Sequence, residues 1–358
     1  TELWWQFAFD GDASRMLRTS LVALIVAIGF GFARLMHPSA PEPGVPTAEE
    51  LQNIRNVLAQ STSAVDNVAL LGDKRFLIHD SGEAFIMYQV SGSSWIALGD
   101  PVGKTEYHEA LAWQFRELSD RHGGRCVFYQ VSDDHLPLYL DLGLSLSKLG
   151  EEARVNLIGF NLEGPRRADL RQAKSRAVRE GASFEVLSSE RIPDILPELK
   201  RVSDAWLKDK GASEKGFSLG TFSEPYLLNF DFGIVRVAGE IVAFANIWKS
   251  GDKEELSLDL MRYSEKAPKG VMDYLFTELM LWGAAQGYHY FALGSAPLSG
   301  LEKHSLAALW HKIGNTIYRF GDHFYKFGGL RKYKEKFEPE WEPTYLAAPG
   351  GLAMSGVL

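Results

Sequence analysis

The feature that most constrains the fold is a strongly basic stretch, residues 164–181, between two similar runs of strand-like and helix-like segments. A Gly-Pro pair begins this stretch and Gly181 ends it, as is typical of the two ends of a helix. Leu170, Ala173 and Ala177 recur at helical spacing and give the helix one narrow apolar side. The cations on its flanks are Arg166, Arg167, Arg171, Lys174, Arg176 and Arg179. The pattern predicts either a solvated connecting helix or a phosphate-binding surface.

The composition is that of an ordinary globular protein with room for two domains. The chain has 358 residues, 46% hydrophobic and 23% charged, with a net charge of -8. Because the whole chain is acidic, the local positive charge of residues 164–181 is distinctive. The single cysteine, Cys126, excludes an intramolecular disulfide, and its apolar neighbours predict a buried, inert thiol.

An uncharged segment lies near the start of the chain, at residues 19–33 between Arg18 and Arg34. It is shorter than the roughly 20 residues that usually span a bilayer, but flanking arginines can reach the interface. Tryptophans upstream resemble an interfacial belt. We therefore predict a transmembrane or membrane-embedded helix, with a signal peptide or a buried helix as alternatives. The proline-rich residues 38–46 form a linker, after which Thr47 and Glu50 predict a helix with a capping box.

The rest of the sequence predicts an α/β (α+β) fold in two halves of similar length, which suggests a duplicated domain. Strands are predicted in the first half at 76–78, 84–90, 94–98, 126–131 and 154–160, and in the second at 184–187, 233–237, 241–249, 255–261 and 288–293. Helices are predicted at 108–122, 135–141, 192–208, 271–286 and 301–312.

Two stretches carry candidate chemistry. In the strand at 254–262, alternation places Ser257, Asp259 and Met261 on one face, where a buried carboxylate needs a partner. The partner is either Arg262, in a structural contact, or a substrate ammonium. Residues 318–345 interleave basic and aromatic side chains, a pattern that suits nucleic acid or lipid headgroups, or a solvated amphipathic element. The sequence contains no zinc-ligand spacing, P-loop or GxSxG motif.

Several motifs together resemble one family, the bacterial multiple peptide resistance factors, or aminoacyl-phosphatidylglycerol synthases. They occur in order from about residue 48 to 347: GDPVG (99–103), GEEA (150–153), LEGPRRADLRQAKSRAVREG (162–181), EKGFSLGTFSEPYL (214–227), DLMR (259–262), GVMDYLF (270–276), LGSAPLSGL (293–301) and GGLRKYKEKFEPEWEPTYLA (328–347). The overall likeness is strongest to alanyl-transferring members.

The resemblance implies tandem GNAT-like acyltransferase folds joined by a basic helix and preceded by an N-terminal membrane helix. The implied divisions are 1–37 (last transmembrane helix), 38–46 (linker), 47–163 (N-terminal GNAT-like domain), 164–181 (basic helix), 182–347 (C-terminal catalytic domain) and 348–358 (tail). The family transfers an amino acid from aminoacyl-tRNA to a glycerol hydroxyl of phosphatidylglycerol, and this gives resistance to cationic antimicrobial peptides. Alanyl-tRNA is the favoured donor and lysyl-tRNA is possible. The implied location is the bacterial inner membrane, with the catalytic domains facing the cytosol and an N-terminal flippase part in the same polypeptide.

The reaction exchanges one ester for another, so it needs positioning, deprotonation of a hydroxyl and stabilisation of an oxyanion. We expect direct transfer without a covalent enzyme intermediate, a metal or a cofactor. The hypothesis assigns the aminoacyl ammonium to Asp259, and phosphate and the oxyanion to Arg262 and Lys334. Substrate binding is assigned to Tyr226, Ser218, Lys326 and Arg331. Binding of tRNA or the membrane surface is assigned to Arg167, Arg171, Lys174, Arg176 and Arg179.

Three other functions remain open from the sequence. An acetyl-CoA-dependent N-acetyltransferase is disfavoured because residues 267–276 are poor in the glycines that a pyrophosphate loop uses. A Fem-type aminoacyl-tRNA peptidyl transferase also pairs two GNAT folds, but the coiled-coil heptads of that class are not evident here. A non-catalytic module that binds anionic lipid is the third.

Overall fold

The computed structural model describes residues 15–35, 46–300 and 327–350. Within these ranges, twelve strands form one mixed sheet, so the predicted α/β class is confirmed. The helices are α1 (Arg15–Leu35), α2 (Ala48–Leu58), α3 (His108–Arg121), α4 (Leu136–Asp141), α5 (Ala168–Arg179), α6 (Ile192–Lys210), α7 (Glu224–Leu227), α8 (Val271–Gln286) and α9 (Phe327–Glu335).

The strands occur singly or in runs between these helices. They are β1 (Arg75–Ile78), β2 (Ala84–Ser91), β3 (Ser94–Leu98), β4 (Val102–Gly103), β5 (Arg125–Val131), β6 (Ser145–Asn156), β7 (Ala182–Leu187), β8 (Asp231–Val237), β9 (Glu240–Lys249), β10 (Glu255–Tyr263), β11 (Tyr290–Pro297) and β12 (Glu340–Ala348).

The sheet has the order β1-β2-β3-β5-β12-β6-β11-β10-β9-β8-β7, and β4 pairs with β2. Each half has antiparallel strands that lead into one parallel pair: β3 and β5 around α3, and β10 and β11 around α8. Two connections join the halves. Strand β6 pairs with β11, and the C-terminal β12 inserts between β5 and β6, antiparallel to both. The strands of both halves therefore form one continuous sheet, and the division of the chain into six segments remains a prediction.

Helices cover both faces of the sheet in the second half. Along β9, Phe244 and Trp248 pack into the cluster that contains the apolar side of α6. The intervening Ala243 and Ala245 pack into the cluster that contains α8. The alternation of the strand thus separates two cores.

The predicted helix after the linker is confirmed in detail. Glu50 N–H donates to Thr47 Oγ1 over 3.2 Å, and Thr47 N–H donates to Glu50 Oε2 over 2.7 Å, which completes the capping box. Ile54, Val57 and Leu58 are buried. Cys126 is also buried, and burial raises the pKa of its thiol to about 12, as expected for an inert side chain.

The predicted membrane helix is not confirmed. The chain does form a helix there, α1, and Val22, Ile25 and Phe30 on it are exposed. However, no described helix combines the length and the apolarity needed to cross a bilayer.

Other predictions differ from the structure at their edges. The strand predicted at 154–160 is β6, which begins earlier, at Ser145. Strand β12 and helix α9 were not predicted as elements, and β12 extends into the predicted tail. The helix predicted at 301–312 lies outside the described residues.

Candidate active site

A cavity of about 1690 Å³ opens along the sheet and is lined by residues from both halves. Asp100 and His135 line it from the first half, and Ser218, Asp259 and Lys334 line it from the second. Typical small-molecule sites have volumes of about 300–1,000 Å³. This cavity therefore has room for parts of two substrates side by side.

Asp259 lies on β10 at an irregularity in the sheet. Pairing with β9 shifts between Leu258 and Met261, which are opposite Ile247 and Ala245. Opposed residues share a face, so Met261 lies on the face of Leu258 rather than on that of Ser257. Strict alternation was therefore wrong for Met261. The irregularity instead places Arg262, opposite Phe244, on the same face as Ser257.

The Asp259 carboxylate is buried and accepts two hydrogen bonds. Gly220 N–H donates to Oδ1 over 2.8 Å, and the Tyr226 hydroxyl donates to Oδ2 over 2.7 Å. Burial raises the pKa of Asp259, and these two hydrogen bonds act in the opposite direction. A carboxylate has about four lone-pair sites, so acceptor capacity remains on the cavity side.

Gly220 must be a glycine for this contact to form. A Cβ at that position would overlap Asp259 Oδ2 and lie 2.6 Å from Tyr226 Cε1. The loop before it, residues 211–219, is held at two more points. Phe217 N–H donates to Asp73 Oδ2 over 2.8 Å, and Arg262 pairs with Glu214 over 3.1 Å. Backbone and carboxylates together fix this loop over the cavity.

Tyr226 and Arg262 contact residues that line the cavity. The Tyr226 hydroxyl accepts from Trp248 Nε1 over 3.1 Å while it donates to Asp259. Burial, followed by the Asp259 charge, raises the pKa of Tyr226 far above its ordinary value, so the phenol stays protonated. The Arg262 guanidinium stacks 4.3 Å from the centre of the Trp206 ring. Trp248 and Trp206 line the cavity, whereas Tyr226 and Arg262 contact these tryptophans and are not part of its described wall.

Lys334 lies on α9, with 5% of its surface exposed. Its amine donates to the carbonyl oxygens of Gly294 and Ser295, each over 2.7 Å. Successive carbonyls of a regular strand point in opposite directions. Here the pairing of β11 with β6 shifts between Ala292 and Ser295, and Gly294 has a φ of 78°, so both carbonyls reach one amine. Burial lowers the pKa of Lys334 to about 8, and the charge of Glu152 opposes this shift.

A group of acidic residues surrounds Arg154 near Lys334, and the sequence analysis does not predict it. Arg154 pairs with Glu342 over 2.9 Å and with Glu255 over 3.2 Å. Burial raises the pKa of Glu255 to about 8. Burial also raises the pKa of Glu152, while Lys334 and Arg154 lower it. The GEEA motif that contains Glu152 was given no role, and Glu152 lies just before the strand predicted at 154–160. For Glu255 the available signal was a carboxylate within the strand predicted at 255–261.

A histidine pair also lines the cavity. His108 Nε2 is 3.1 Å from Gly103 O, and its Nδ1 is 3.3 Å from His135 Nε2. His135 Nδ1 is in turn 3.3 Å from Ser132 Oγ and 3.7 Å from Asp100 Oδ1. All four ring nitrogens therefore have a neighbour within the protein.

The predicted substrate-binding residues are only partly brought together. Ser218 lines the cavity. Arg331 instead pairs with Glu151 and stacks 4.2 Å from the centre of the Trp341 ring, which fixes α9 to β6 and β12. Lys326 lies outside the described residues.

The basic helix α5 is present, with Leu170 and Ala177 buried. Several cations of the basic stretch at residues 164–181 have structural partners. Arg167 donates to Phe337 O over 2.9 Å, Arg171 donates to Gly164 O over 2.6 Å, and Lys174 pairs with Glu278 over 2.7 Å. Arg176 and Arg179 form no ion pair within the described part of the chain. These two are the candidates for an external anion.

Comparison with known proteins identifies the family. The C-terminal family of phosphatidylglycerol lysyltransferases matches residues 55–348. The chain belongs to this family. A phosphatidylglycerol lysyltransferase of Bacillus subtilis is 35% identical over 331 residues, which are 92% of this chain but 38% of that protein. The chain thus spans well under half of the curated relative that it matches.

Two solved structures in this family resemble the chain closely. The L-PGS structure from Bacillus licheniformis has a TM-score of 0.79 and 37% identity, and the match covers 88% of this chain and 96% of that one. A C-terminal domain from Agrobacterium fabrum, provisionally named a lysylphosphatidylglycerol synthetase, has a TM-score of 0.79 and 42% identity, with 87% and 95% covered. The family predicted by resemblance is confirmed, while the alanyl preference is not.

Proposed function

We propose that this chain is the catalytic part of an aminoacyl-phosphatidylglycerol synthase. It transfers an aminoacyl group from aminoacyl-tRNA to a glycerol hydroxyl of phosphatidylglycerol. The observation that carries the proposal is a single cavity, large enough for two substrate ends, with buried Asp259 and Lys334 in its wall. Membership of the phosphatidylglycerol lysyltransferase family supports the acceptor lipid.

The proposed roles follow from the contacts. Asp259 accepts the aminoacyl ammonium on its remaining lone pairs, and Tyr226 and Gly220 hold the carboxylate in place. Lys334 lies close to the reacting ester and the developing oxyanion. Arg262, through Glu214 and Trp206, positions the loop that closes the pocket around Ser218. Arg331 supports α9 rather than the substrate.

The surroundings of the reaction are part of the same proposal. Arg176 and Arg179 attract the tRNA backbone or the anionic membrane surface, and Arg167, Arg171 and Lys174 hold their helix in place. The tandem GNAT-like arrangement, the N-terminal flippase part and the location at the inner membrane are proposed with it. The product masks lipid charge and so reduces attraction of cationic peptides.

The test incubates the protein with phosphatidylglycerol vesicles and radiolabelled alanyl-tRNA or lysyl-tRNA, each with an RNase-treated control. We expect RNase-sensitive label in the lipid phase, and the donor that supplies it identifies the amino acid. Vesicles without phosphatidylglycerol test the acceptor. If neither donor tRNA labels the lipid phase and the protein still binds the vesicles, a non-catalytic lipid-binding module would be favoured. Label transferred to a peptidoglycan precursor peptide instead would favour a Fem-type transferase.

A further inference from the structure

The amine nitrogen of Lys334 has one tetrahedral position that is not used in its two hydrogen bonds to backbone carbonyls. A neutral amine has two hydrogens and a lone pair, and the Gly294 and Ser295 carbonyls occupy two hydrogens. The remaining tetrahedral position holds a lone pair when the amine is neutral and a third hydrogen when it is protonated. A proton can therefore be taken up and returned at one fixed place, without rotation of the side chain.

Glu152 is placed to stabilise the protonated form. It lies opposite Ser295 on the neighbouring strand, and it also lines the cavity. Its charge interacts favourably with that of Lys334. The other charged groups in this region are Arg154 on the same strand, Glu342 on β12 and Glu255 on β10. Arg154 forms ion pairs with Glu255 and Glu342, and the charges of Arg154 and Lys334 both act on Glu152.

Several other polar groups in or next to the described cavity wall are held by contacts within the protein, while Glu255 and Asp66 are further carboxylates of that wall, and burial raises the pKa of each. Both oxygens of Asp259 accept hydrogen bonds. The Tyr226 hydroxyl is already bonded to Asp259. The His108 and His135 nitrogens are engaged with each other, Gly103 and Ser132.

We propose that the amine of Lys334 accepts the proton of the acceptor hydroxyl, and that Glu152 is a positioning residue that stabilises the resulting ammonium. This inference rests on the proposed transfer reaction. The hydroxyl O–H bond breaks as its oxygen bonds to the aminoacyl carbonyl carbon, and the proton moves to Lys334 Nζ. The tetrahedral intermediate then collapses, and the bond to the ribose oxygen breaks. That oxygen takes the proton back from Lys334, so the net reaction releases no proton.

The test is the pH dependence of single-turnover transfer from about pH 6 to about pH 9, corrected for hydrolysis of the donor ester without enzyme. A general base must be neutral, so we expect the rate to rise with pH and to level above about 8, the pKa of Lys334. A residue that acts only as a cation gives the opposite profile, because the rate then falls as the amine loses its proton. A fall through this range would overturn the inference.

Two variants distinguish a role of Lys334 as a general base from a role as a fixed positive charge. Lys334→Arg keeps the charge and hydrogen-bond donors but cannot deprotonate near neutrality. We expect it to lose at least about a hundredfold in rate, and a wild-type rate would contradict the proposal. Glu152→Gln removes the facing charge, and we expect it to move the rise in rate to lower pH.

The matched control is Glu335→Gln, which removes an exposed charge from the same helix beside Arg331 and should leave the profile in place. A shift in this control equal to that of Glu152→Gln would remove Glu152 from the mechanism. If the wild-type protein forms no aminoacyl lipid at any pH, the proposed function fails, and not only this inference.

Discussion

Asp259 and Lys334 line the same cavity and are both buried, but the protein holds them in different ways. Asp259 receives hydrogen bonds from a loop and a tyrosine, so it organises the elements around it. Lys334 donates to two backbone carbonyls and organises little beyond its own position. The difference teaches that burial alone does not reveal a role. A buried charge that satisfies several buried donors stabilises the fold, whereas one held only by half-buried backbone carbonyls contributes little to it.

The largest expected effect is on stability, in a comparison of Asp259→Ala with Lys334→Met. Asp259→Ala leaves Gly220 N–H and the Tyr226 hydroxyl without an acceptor, and we expect a loss of about 3 kcal/mol in the free energy of unfolding. Lys334→Met should change it by less than about 1 kcal/mol, because the half-buried Gly294 and Ser295 carbonyls can bind water in the cavity. Urea denaturation followed by tryptophan fluorescence measures both.

Asp259→Ala should therefore lose stability as well as the transfer activity that the proposed ammonium contact supports. Equal stability of the two variants would mean that the Asp259 contacts are replaced by water at little cost. Asp259→Asn is the matched variant, since its amide oxygen can still accept from one of the two donors.

The sequence predicted local elements well, because their signals lie within a few residues. The capping box at Thr47 and the bounds of α8 (residues 271–286) are examples. It did not predict that β12 inserts between β5 and β6, since Tyr345 pairs with Val131, more than two hundred positions earlier. No periodicity within one segment records such a partner.

The candidate site was predicted in the same uneven way. Asp259 was recognisable as a carboxylate in an apolar strand. The face of Arg262 was not, because one inserted residue between Leu258 and Met261 reverses the alternation. Lys334 was proposed from the family resemblance, whereas its two carbonyl partners depend on an irregularity in a different strand.

A smaller effect is expected from Gly220→Ala, which tests the Asp259 site from the opposite side. The added Cβ must displace Asp259 or Tyr226, and we expect a loss of about 2 kcal/mol in stability together with reduced transfer. The control is Gly216→Ala, whose Cβ would meet only the end of the Asp73 side chain, at 3.0 Å. If both variants unfold at the same urea concentration, the close packing of Gly220 is not what holds the carboxylate.

The smallest effect is expected on the basic helix α5. This helix carries both a cation that forms an ion pair, Lys174, and one that forms none within the described residues, Arg176. Lys174 pairs with Glu278 across a partly exposed contact, so Lys174→Ala should cost about 0.5 kcal/mol in stability. Arg176→Ala should cost nothing measurable there, but it should reduce the salt dependence of donor tRNA binding by about one phosphate contact. Binding measured across a series of salt concentrations separates the two. If Lys174→Ala lowers the salt dependence and Arg176→Ala does not, the prediction is wrong. The Lys174–Glu278 ion pair would then open when tRNA binds, and Lys174 rather than Arg176 would contact the phosphate.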